Sequence, residues 1–198
     1  MTERSGRMAP YRRWFKRWLD AALAGGGLLI FALPMAWIGW RIRRTTGSPV
    51  LFRQVRVGFG GKPFTILKFR TMTPEGAVPS RFCQLLRGSA MDELPQLINI
   101  LRGQMSFVGP RPLIPEELET LGQFPRGGDR LRVRPGLTGL AQLNSAKVPD
   151  LSERLRWDLS YVDRCSLLLD LKILIQSVAI TLRGAWERSG GHTPPGAA

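Results

Sequence analysis

The stretch SAMDELPQLINILRGQMSFVGPRPL, residues 89–113, joins a pair of acids to an apolar pattern that determines the local fold. Behind the adjacent carboxylates Asp92 and Glu93, apolar residues recur at 94, 97, 98 and 101, as on one face of an amphipathic helix. Pro95 is tolerated only in the first turn of a helix, so we expect the helix to begin near the two acids. Ser89 and Asp92 are the candidate capping residues.

The two carboxylates have a structural and a catalytic interpretation. Acidic residues at a helix N-terminus often only stabilise the helix, because its free N–H groups and its dipole favour negative charge. The same environment can bind a phosphate group. Adjacent helical residues point about 100° apart, so one acid is free to attack while the other holds a cation.

The composition indicates an anionic partner and excludes several kinds of catalytic site. The 198-residue chain has a net charge of +14, as in proteins that meet nucleic acid, acidic membrane surfaces or phosphorylated substrates. The two cysteines form no CxxC pair, which argues against a disulfide scaffold or a thiolate zinc site. The only histidine, His192, lies in a Gly/Pro-rich tail. Catalysis must therefore rely on carboxylates, Lys and Arg, with a hard metal such as Mg²⁺.

Residues 1–46 are typical of a basic interfacial segment followed by a membrane-embedded hairpin. Residues 1–20 interleave six cations with aromatic side chains, and residues 21–40 carry no charge over a length that spans roughly 30 Å as a helix. Pro34 interrupts this run, and cations flank it on both sides. Because cationic flanks stay in the cytoplasm, the pattern favours a re-entrant helix-break-helix with its break at Pro34. A single span and a buried core helix are the alternatives.

Residues 47–190 predict a cytoplasmic catalytic domain of the α+β class, with a small antiparallel β-hairpin surrounded by amphipathic helices. Strands are expected at 50–57 and 64–72, where Lys68 and Arg70 share one face, either solvated or turned towards phosphate. A short helix at 82–87 should deliver Arg87 near the acids. Two flanking prolines should fix the direction of Arg111.

The second half of the domain predicts further helices joined by turns. Helices are expected at 114–121, Leu151–Arg164 and Leu167–Leu182, with a mobile loop at 122–130. The turn-rich segment 133–144 should expose the side chains of Arg134, Thr138 and Gln142 as a ligand loop. Residues 191–198 are expected to form a flexible tail.

Five strings together resemble one family closely, the bacterial sugar transferases or monotopic phosphoglycosyl transferases. They are LFRQVRVGFGGKPFTILKFRTM at 51–72, MDELPQLINILRGQMSFVGPRPL at 91–113, VRPGLTGLAQLN at 133–144, and the DLSYV and DLKIL segments between 158 and 174. The basic segment and the interrupted hydrophobic run before them fit the same family. Any one string is modest evidence, whereas all of them in this order are highly specific.

The resemblance implies transfer of a sugar 1-phosphate from a nucleotide-activated sugar, usually a UDP-sugar, to polyprenol phosphate with release of UMP. Asp92 matches the family's nucleophile, which takes the phosphosugar covalently, and Glu93 matches the residue that helps to bind Mg²⁺. The short chain resembles the minimal form of the family, which commonly takes acetamido sugars, with an unmodified hexose donor as the alternative. The expected substrate- or phosphate-binding residues include those of the ligand loop. The full set is Lys68, Arg70, Arg87, Arg111, Arg134, Thr138, Gln142 and Asp158.

The same resemblance implies a location and a set of partners. The protein would lie on the cytoplasmic face of the bacterial inner membrane, held by its hairpin and by anionic lipids at roughly 1 kcal/mol per cation. It would begin the synthesis of a surface polysaccharide or glycoconjugate. The sequence carries no pattern that predicts an oligomeric state.

Two other classes of function remain as alternatives. A membrane-bound family member that acts as a scaffold would keep the fold and the anchor and release no UMP. A nucleic-acid-binding protein would explain the positive charge, but the cations cluster beside the apolar hairpin and in the phosphate-site strings, and no recognised nucleic-acid motif occurs. We therefore expect no nucleic-acid partner.

Overall fold

The computed structural model describes residues 11–144 and 150–182, and its mixed helix and strand content agrees with the predicted α+β class. The predicted tail at 191–198 lies outside the described residues. The strands are β1 (Leu51–Val57), β2 (Pro63–Phe69), β3 (Ser106–Val108) and β4 (Gly136–Thr138). The helices are α1 (Lys16–Ile30), α2 (Ala32–Thr46), α3 (Arg81–Gly88), α4 (Gln96–Leu101), α5 (Pro115–Leu121), α6 (Leu140–Asn144), α7 (Leu151–Arg164) and α8 (Leu167–Leu182).

The N-terminal hydrophobic stretch forms α1 and α2, which meet at Phe31 with a bend of 62°. The structure therefore places the break three residues before Pro34, which lies in the first turn of α2. The reason is that proline has no N–H to offer the carbonyl of Ile30, four residues back, and its ring crowds that carbonyl. Within the described residues, no single helix meets the length and hydropathy criteria for a membrane span, and α1 and α2 meet them only together, as a bent pair.

Helix α1 packs against α4, the helix that follows the acidic pair. Ala24 is fully buried in the same hydrophobic cluster as Leu97 and Ile100 of α4. A Cβ placed on Gly27 would lie 3.2 Å from the Leu97 side chain, so this glycine allows the two helices to approach closely. The guanidinium of Arg17 donates hydrogen bonds to the last carbonyls of α4, at 3.0 Å and 2.7 Å. The hydrophobic stretch is thus part of the frame that holds the acidic pair.

The predicted hairpin is confirmed, with β1 and β2 antiparallel and paired from Leu51 opposite Phe69 to Val57 opposite Pro63. Asn99 of α4 binds the middle of the hairpin, since its Oδ1 accepts from the Leu67 N–H at 3.1 Å and its Nδ2 donates to a carbonyl of β2 at 2.7 Å. This fully buried amide satisfies main-chain groups at the edge of β2 and fixes the position of α4 against that strand.

The acidic pair lies in a single tight helical turn, Met91–Glu93, ahead of α4. The N–H of Leu94 donates to the carbonyl of Met91, three residues earlier, at 3.3 Å. The turn is tighter than an α-helix here because Pro95, four residues after Met91, has no N–H to offer that carbonyl. The predicted start of the helix near the acids is confirmed. The predicted caps are wrong, because the side chain of Ser89 closes the preceding helix at Leu85 and no side chain caps this turn.

A parallel pair of short strands, β3 and β4, was not predicted. Strand β4 and helix α6 occupy the segment expected to be a turn-rich loop. A Cβ on Gly109 or on Gly136 would overlap the facing main chain, so glycine is required at both positions for the two segments to approach. This pairing brings residues after β4 beside the prolines that surround Arg111.

Helices α7 and α8 have the predicted bounds and close the far side of the molecule. The side chain of Asp150 caps α7 by accepting from the N–H of Glu153 at 2.8 Å. The expected mobile loop at 122–130 is wrong in its second half, since Gly127–Arg132 forms a helical turn and Arg130 is only 5% exposed. Arg130 is held there by a buried ion pair with Asp158.

Candidate functional site

The acidic pair combines a buried carboxylate with one that is half-buried. Asp92 is 8% exposed, whereas Glu93 turns to the side and pairs with the ammonium of Lys68 on β2. The two acids therefore have different surroundings although they are neighbours in the chain. This difference agrees with two separate roles for them.

Burial raises the pKa of Asp92 to about 6, and the adjacent charge of Glu93 acts in the same direction. The positive charges of Lys68 and Arg87 oppose this rise. A carboxylate with a raised pKa is a stronger base and nucleophile than an ordinary aspartate, yet it is still ionised at neutral pH. These are the properties that a nucleophilic aspartate needs.

The two cations predicted on one face of β2 separate in the structure. Lys68 lies within the strand and contacts Glu93, while Arg70 follows the end of the strand and donates to the carbonyl of Thr46 at 2.5 Å. Arg87, on α3, lies within electrostatic reach of Asp92 as predicted, and one of its nitrogens contacts the sulfur of Met72 at 3.1 Å. Lys68 and Arg87 therefore serve the acidic pair directly, and Arg70 fastens the hairpin to the end of α2.

Arg111 is held by its backbone on both sides. Arg56 of β1 donates to the carbonyl of Pro112 at 3.2 Å, and Arg130 donates to the carbonyl of Arg111 itself at 2.9 Å. Burial lowers the pKa of Arg56, and the positive charge of Arg111 lowers it further. Two guanidinium groups that repel one another are a natural binding site for an anion such as phosphate.

A cleft of about 310 Å³, its open mouth included, joins Glu93 and Lys68 to the two arginines Arg56 and Arg111. Its charged lining consists of Glu93, Lys68, Arg56 and Arg111, so three cations face one carboxylate. The remaining lining residues are Ile66, Gln96, Pro112, Gly136, Leu137 and Gln142.

Three residues predicted for the site face other parts of the molecule. Asp158 is 2% exposed and binds Arg130 at 2.6 Å, so it supports Arg111 only through Arg130. The hydroxyl of Thr138 is buried against that of Ser177 on α8, at 2.6 Å. Arg134 donates to the carbonyl of Gly103 at 2.9 Å and stacks on a ring of the β1–β2 turn. Of the three side chains predicted to be exposed by the ligand loop, those of Arg134, Thr138 and Gln142, that of Gln142 alone lines the cleft.

The acidic pair fits a magnesium ion of the kind that binds through substrate phosphates. Mg²⁺ usually takes one or two protein carboxylates and fills its other positions with phosphate oxygens and water. The described residues contain no cluster of three or more His, Cys, Asp and Glu side chains, so a site made only of protein ligands is absent from them. Glu93 is the more accessible acid of the pair, and it would exchange Lys68 for the metal.

Three residues of the site were not predicted from the sequence: Arg56, Gln96 and Arg130. Gln96 follows Asp92 by four residues, so helical spacing alone would have placed the two on one face. Arg56 is a polar residue that lies between two apolar ones along β1. This pattern does not distinguish a site residue from one that faces solvent. Arg130 lies in a segment whose glycines and proline indicated a loop.

Comparison with known proteins shows the family of the chain. The family model described as bacterial sugar transferase matches residues 11–184. The uncharacterized sugar transferase EpsL of Bacillus subtilis is 42% identical over 147 residues, which is 69% of this chain and 72% of the relative. The UDP-glucose:undecaprenyl-phosphate glucose-1-phosphate transferase of Caulobacter vibrioides is 38% identical over 181 residues, 82% of this chain and 68% of the relative.

A third relative is matched over nearly its whole length. The exopolysaccharide production protein ExoY of Rhizobium meliloti is 33% identical over 203 aligned positions, which cover 89% of each chain. The family match spans most of the chain and includes the acidic pair, Lys68, Arg87 and Arg111. The protein therefore belongs to the bacterial sugar transferase family.

Proposed function

We propose that the protein transfers a sugar 1-phosphate from a UDP-sugar to a membrane polyprenol phosphate and releases UMP, with Asp92 as the covalent nucleophile. The observation that carries the proposal is Asp92 itself, a buried carboxylate with a pKa raised to about 6, beside a cleft with three cations. This step would begin the synthesis of a surface polysaccharide or glycoconjugate. The names of the relatives from Caulobacter vibrioides and Rhizobium meliloti support that class of product.

The transfer divides into two displacements at one phosphorus atom. An Oδ of Asp92 first attacks the phosphorus that bears the sugar, and the bond from that phosphorus to the bridging oxygen breaks, so UMP departs with the electron pair. A phosphate oxygen of polyprenol phosphate then attacks the same phosphorus. The bond to Asp92 breaks, the carboxylate is restored, and the product is a polyprenol diphosphate sugar. Neither step requires a histidine.

The cations of the cleft answer the main difficulty of this chemistry, which is that a carboxylate and a diphosphate repel each other. Lys68, Arg56 and Arg111 would neutralise phosphate charge before the attack, and Arg87 would stabilise Asp92 in its ionised form. A bound Mg²⁺ would supply further neutralisation of the diphosphate. Glu93 is the residue we assign to hold it, in agreement with its position at the edge of the cleft.

The bent pair of α1 and α2 is proposed as a re-entrant anchor on the cytoplasmic face of the inner membrane. The side chains at the bend are apolar and strongly exposed, at 82% for Leu29, 74% for Ile30 and 83% for Leu33. Cations lie at the far end of each helix from the bend, Arg17 on α1 and Arg44 on α2. An apolar tip between two basic ends fits insertion from one side, with anionic lipids around the basic ends.

UDP-glucose is the first donor to test. Resemblance to the minimal form of the family pointed to acetamido sugars, whereas relatives with up to 38% identity are named for UDP-glucose. We therefore propose an unmodified hexose donor, with the acetamido sugars as the alternative.

The deciding experiment measures UMP release by detergent-solubilised protein given undecaprenyl phosphate, Mg²⁺ and each UDP-sugar in turn. Asp92→Asn should abolish release, Glu93→Gln should reduce it strongly, and Glu119→Gln, which removes an exposed carboxylate on α5, should leave it unchanged. Intact-mass measurement without acceptor should show a hexose-phosphate adduct on the wild-type protein and none on Asp92→Asn. Appreciable turnover by Asp92→Asn would overturn the assignment of the nucleophile. Absence of release with every donor would favour the scaffold alternative.

A further inference from the structure

Two amide side chains in the cleft each present one buried polar atom without a partner. The Nε2 of Gln96 and the Oε1 of Gln142 are buried and have no hydrogen-bond partner among the described residues. Both residues line the same cleft, together with Lys68 and Glu93. A buried polar atom left unpaired is costly, so an orphaned donor and an orphaned acceptor in one cleft indicate a ligand.

From this pair we propose that Gln96 and Gln142 bind a hydroxyl group on the hexose of the nucleotide-sugar donor. The inference rests on the proposed function and adds to it the residues that recognise the sugar. In this proposal the cations of the cleft bind the phosphates and the amides bind the sugar.

The two unpaired amide atoms have opposite hydrogen-bonding character. The Nε2 of Gln142 donates to the carbonyl of Leu137 at 3.2 Å, so its free atom is the oxygen, an acceptor. In Gln96, which is 2% exposed, the atom without a partner is the nitrogen, a donor. The pair therefore offers the ligand one donor and one acceptor.

The donor and acceptor together match a hydroxyl group better than a phosphate. A phosphate oxygen without a proton only accepts hydrogen bonds, so the Oε1 of Gln142 would repel it. A sugar hydroxyl accepts from Gln96 and donates to Gln142 with the same oxygen. Ile66 and Leu137 supply an apolar wall in the same cleft, as expected for the C–H face of a hexose ring.

The place of Gln96 in the cleft, beside Glu93, favours the hexose over the ribose. Gln96 lines the cleft together with Glu93 and Lys68, two residues whose charges act on Asp92. The hexose is joined through one oxygen to the phosphorus that Asp92 attacks. The ribose is farther away by a whole second phosphate group, so the hexose is the part of the donor that lies within reach.

The test compares donors that lack single hydroxyl groups, using kcat/KM for UMP release. UDP-glucose and its 2-, 3-, 4- and 6-deoxy analogues are given to the wild type, to Gln142→Met and to Gln96→Met. Methionine keeps the size and removes the hydrogen bond. We expect one deoxy donor to react about tenfold more slowly than UDP-glucose with the wild type and equally fast with Gln142→Met. Equal discrimination by the wild type and both variants would overturn the proposal, as would a wild type indifferent to all four deletions.

Binding measurements separate this proposal from the transfer reaction itself. Titration calorimetry with Asp92→Asn, which cannot turn over, gives affinities for UDP-glucose and UMP with and without Gln142→Met. We expect about tenfold weaker UDP-glucose binding and unchanged UMP binding, even if the proposed transfer chemistry should fail. Equal loss for both ligands would place the amide pair on the nucleotide and overturn the proposal. Gln123→Met, an exposed change of the same kind, is the control, and thermal unfolding identifies any variant that fails to fold.

Discussion

Replacing Asp92, the proposed nucleophile, should make the protein more stable, and by a predictable amount. The pKa of Asp92 is raised from 3.8 to about 6, so the folded protein holds this proton more tightly than the unfolded chain does. A difference of about two in pKa corresponds to roughly 3 kcal/mol, at about 1.4 kcal/mol for each unit. Above pH 6 the ionised carboxylate therefore reduces the free energy of unfolding by about that amount.

The sign of the effect depends on pH. Below pH 4 the carboxyl is protonated in both states and costs nothing. As the pH rises from about 4 to about 6, the unfolded chain has released its proton and the folded protein has not, so stability falls. Asp92→Asn removes the titrating group, and we expect it to raise the free energy of unfolding by roughly 3 kcal/mol at pH 7.5 and by about 1 kcal/mol at pH 4.5.

The measurement is guanidinium-induced unfolding of the detergent-solubilised protein, followed by tryptophan fluorescence at both pH values. Glu119→Gln removes an exposed carboxylate and should change the free energy of unfolding by less than about 0.5 kcal/mol at either pH. If Asp92→Asn gave no gain at pH 7.5, or the same gain at pH 4.5, the argument from burial would be refuted. The predicted gain would show that the fold gives up stability to keep this carboxylate in place.

Three further predictions concern the pH dependence of the reaction, the buried ion pair of Asp158 and the glycine at the β3–β4 contact. The kcat/KM of the wild type should rise with pH to a plateau, with an apparent pKa of about 6, because only ionised Asp92 attacks; a flat profile between pH 5 and 8 would contradict this. Asp158→Ala should cost about 3–5 kcal/mol in denaturant unfolding, because it leaves the charge of Arg130 buried and unpaired; a loss under 1 kcal/mol would show that the pair is dispensable. Gly136→Ala should prevent folding and so abolish the yield of detergent-extracted protein, because its Cβ overlaps the facing main chain, whereas Gly25→Ala, with open space around it, should give the wild-type yield.

The elements that could be predicted are those in which apolar residues recur with the period of a helix or a strand. Leu151–Arg164 and Leu167–Leu182 have long apolar patterns, and α7 has an aspartate cap, so their bounds follow from the sequence alone. The β1–β2 hairpin has two apolar runs around a glycine-rich turn. The parallel strands β3 and β4 have three residues each, which is too short for any period to show.

The site was predictable as a set of residues but not as an arrangement. The resemblance supplied Asp92, Glu93 and Arg111, and the structure brings Lys68 and Arg111 into one cleft with Glu93. The resemblance could not distinguish the residues that line the cleft from the residues that support those lining residues. Asp158 shows the difference, because its partner was expected in a loop and is instead buried beneath Arg111.

The first turn of α1 is fastened to two different parts of the molecule. The ammonium of Lys16 binds Asp170 on α8 at 2.6 Å, in a buried pair, and the adjacent Arg17 binds the end of α4. Contacts from neighbouring residues to two separate helices prevent α1 from rotating or sliding without breaking one of them. If α1 and α2 rest in a bilayer, these contacts fix the height of Asp92 above the lipid. The reaction would accept a lipid phosphate at one depth only, whatever the size of the sugar it is to carry.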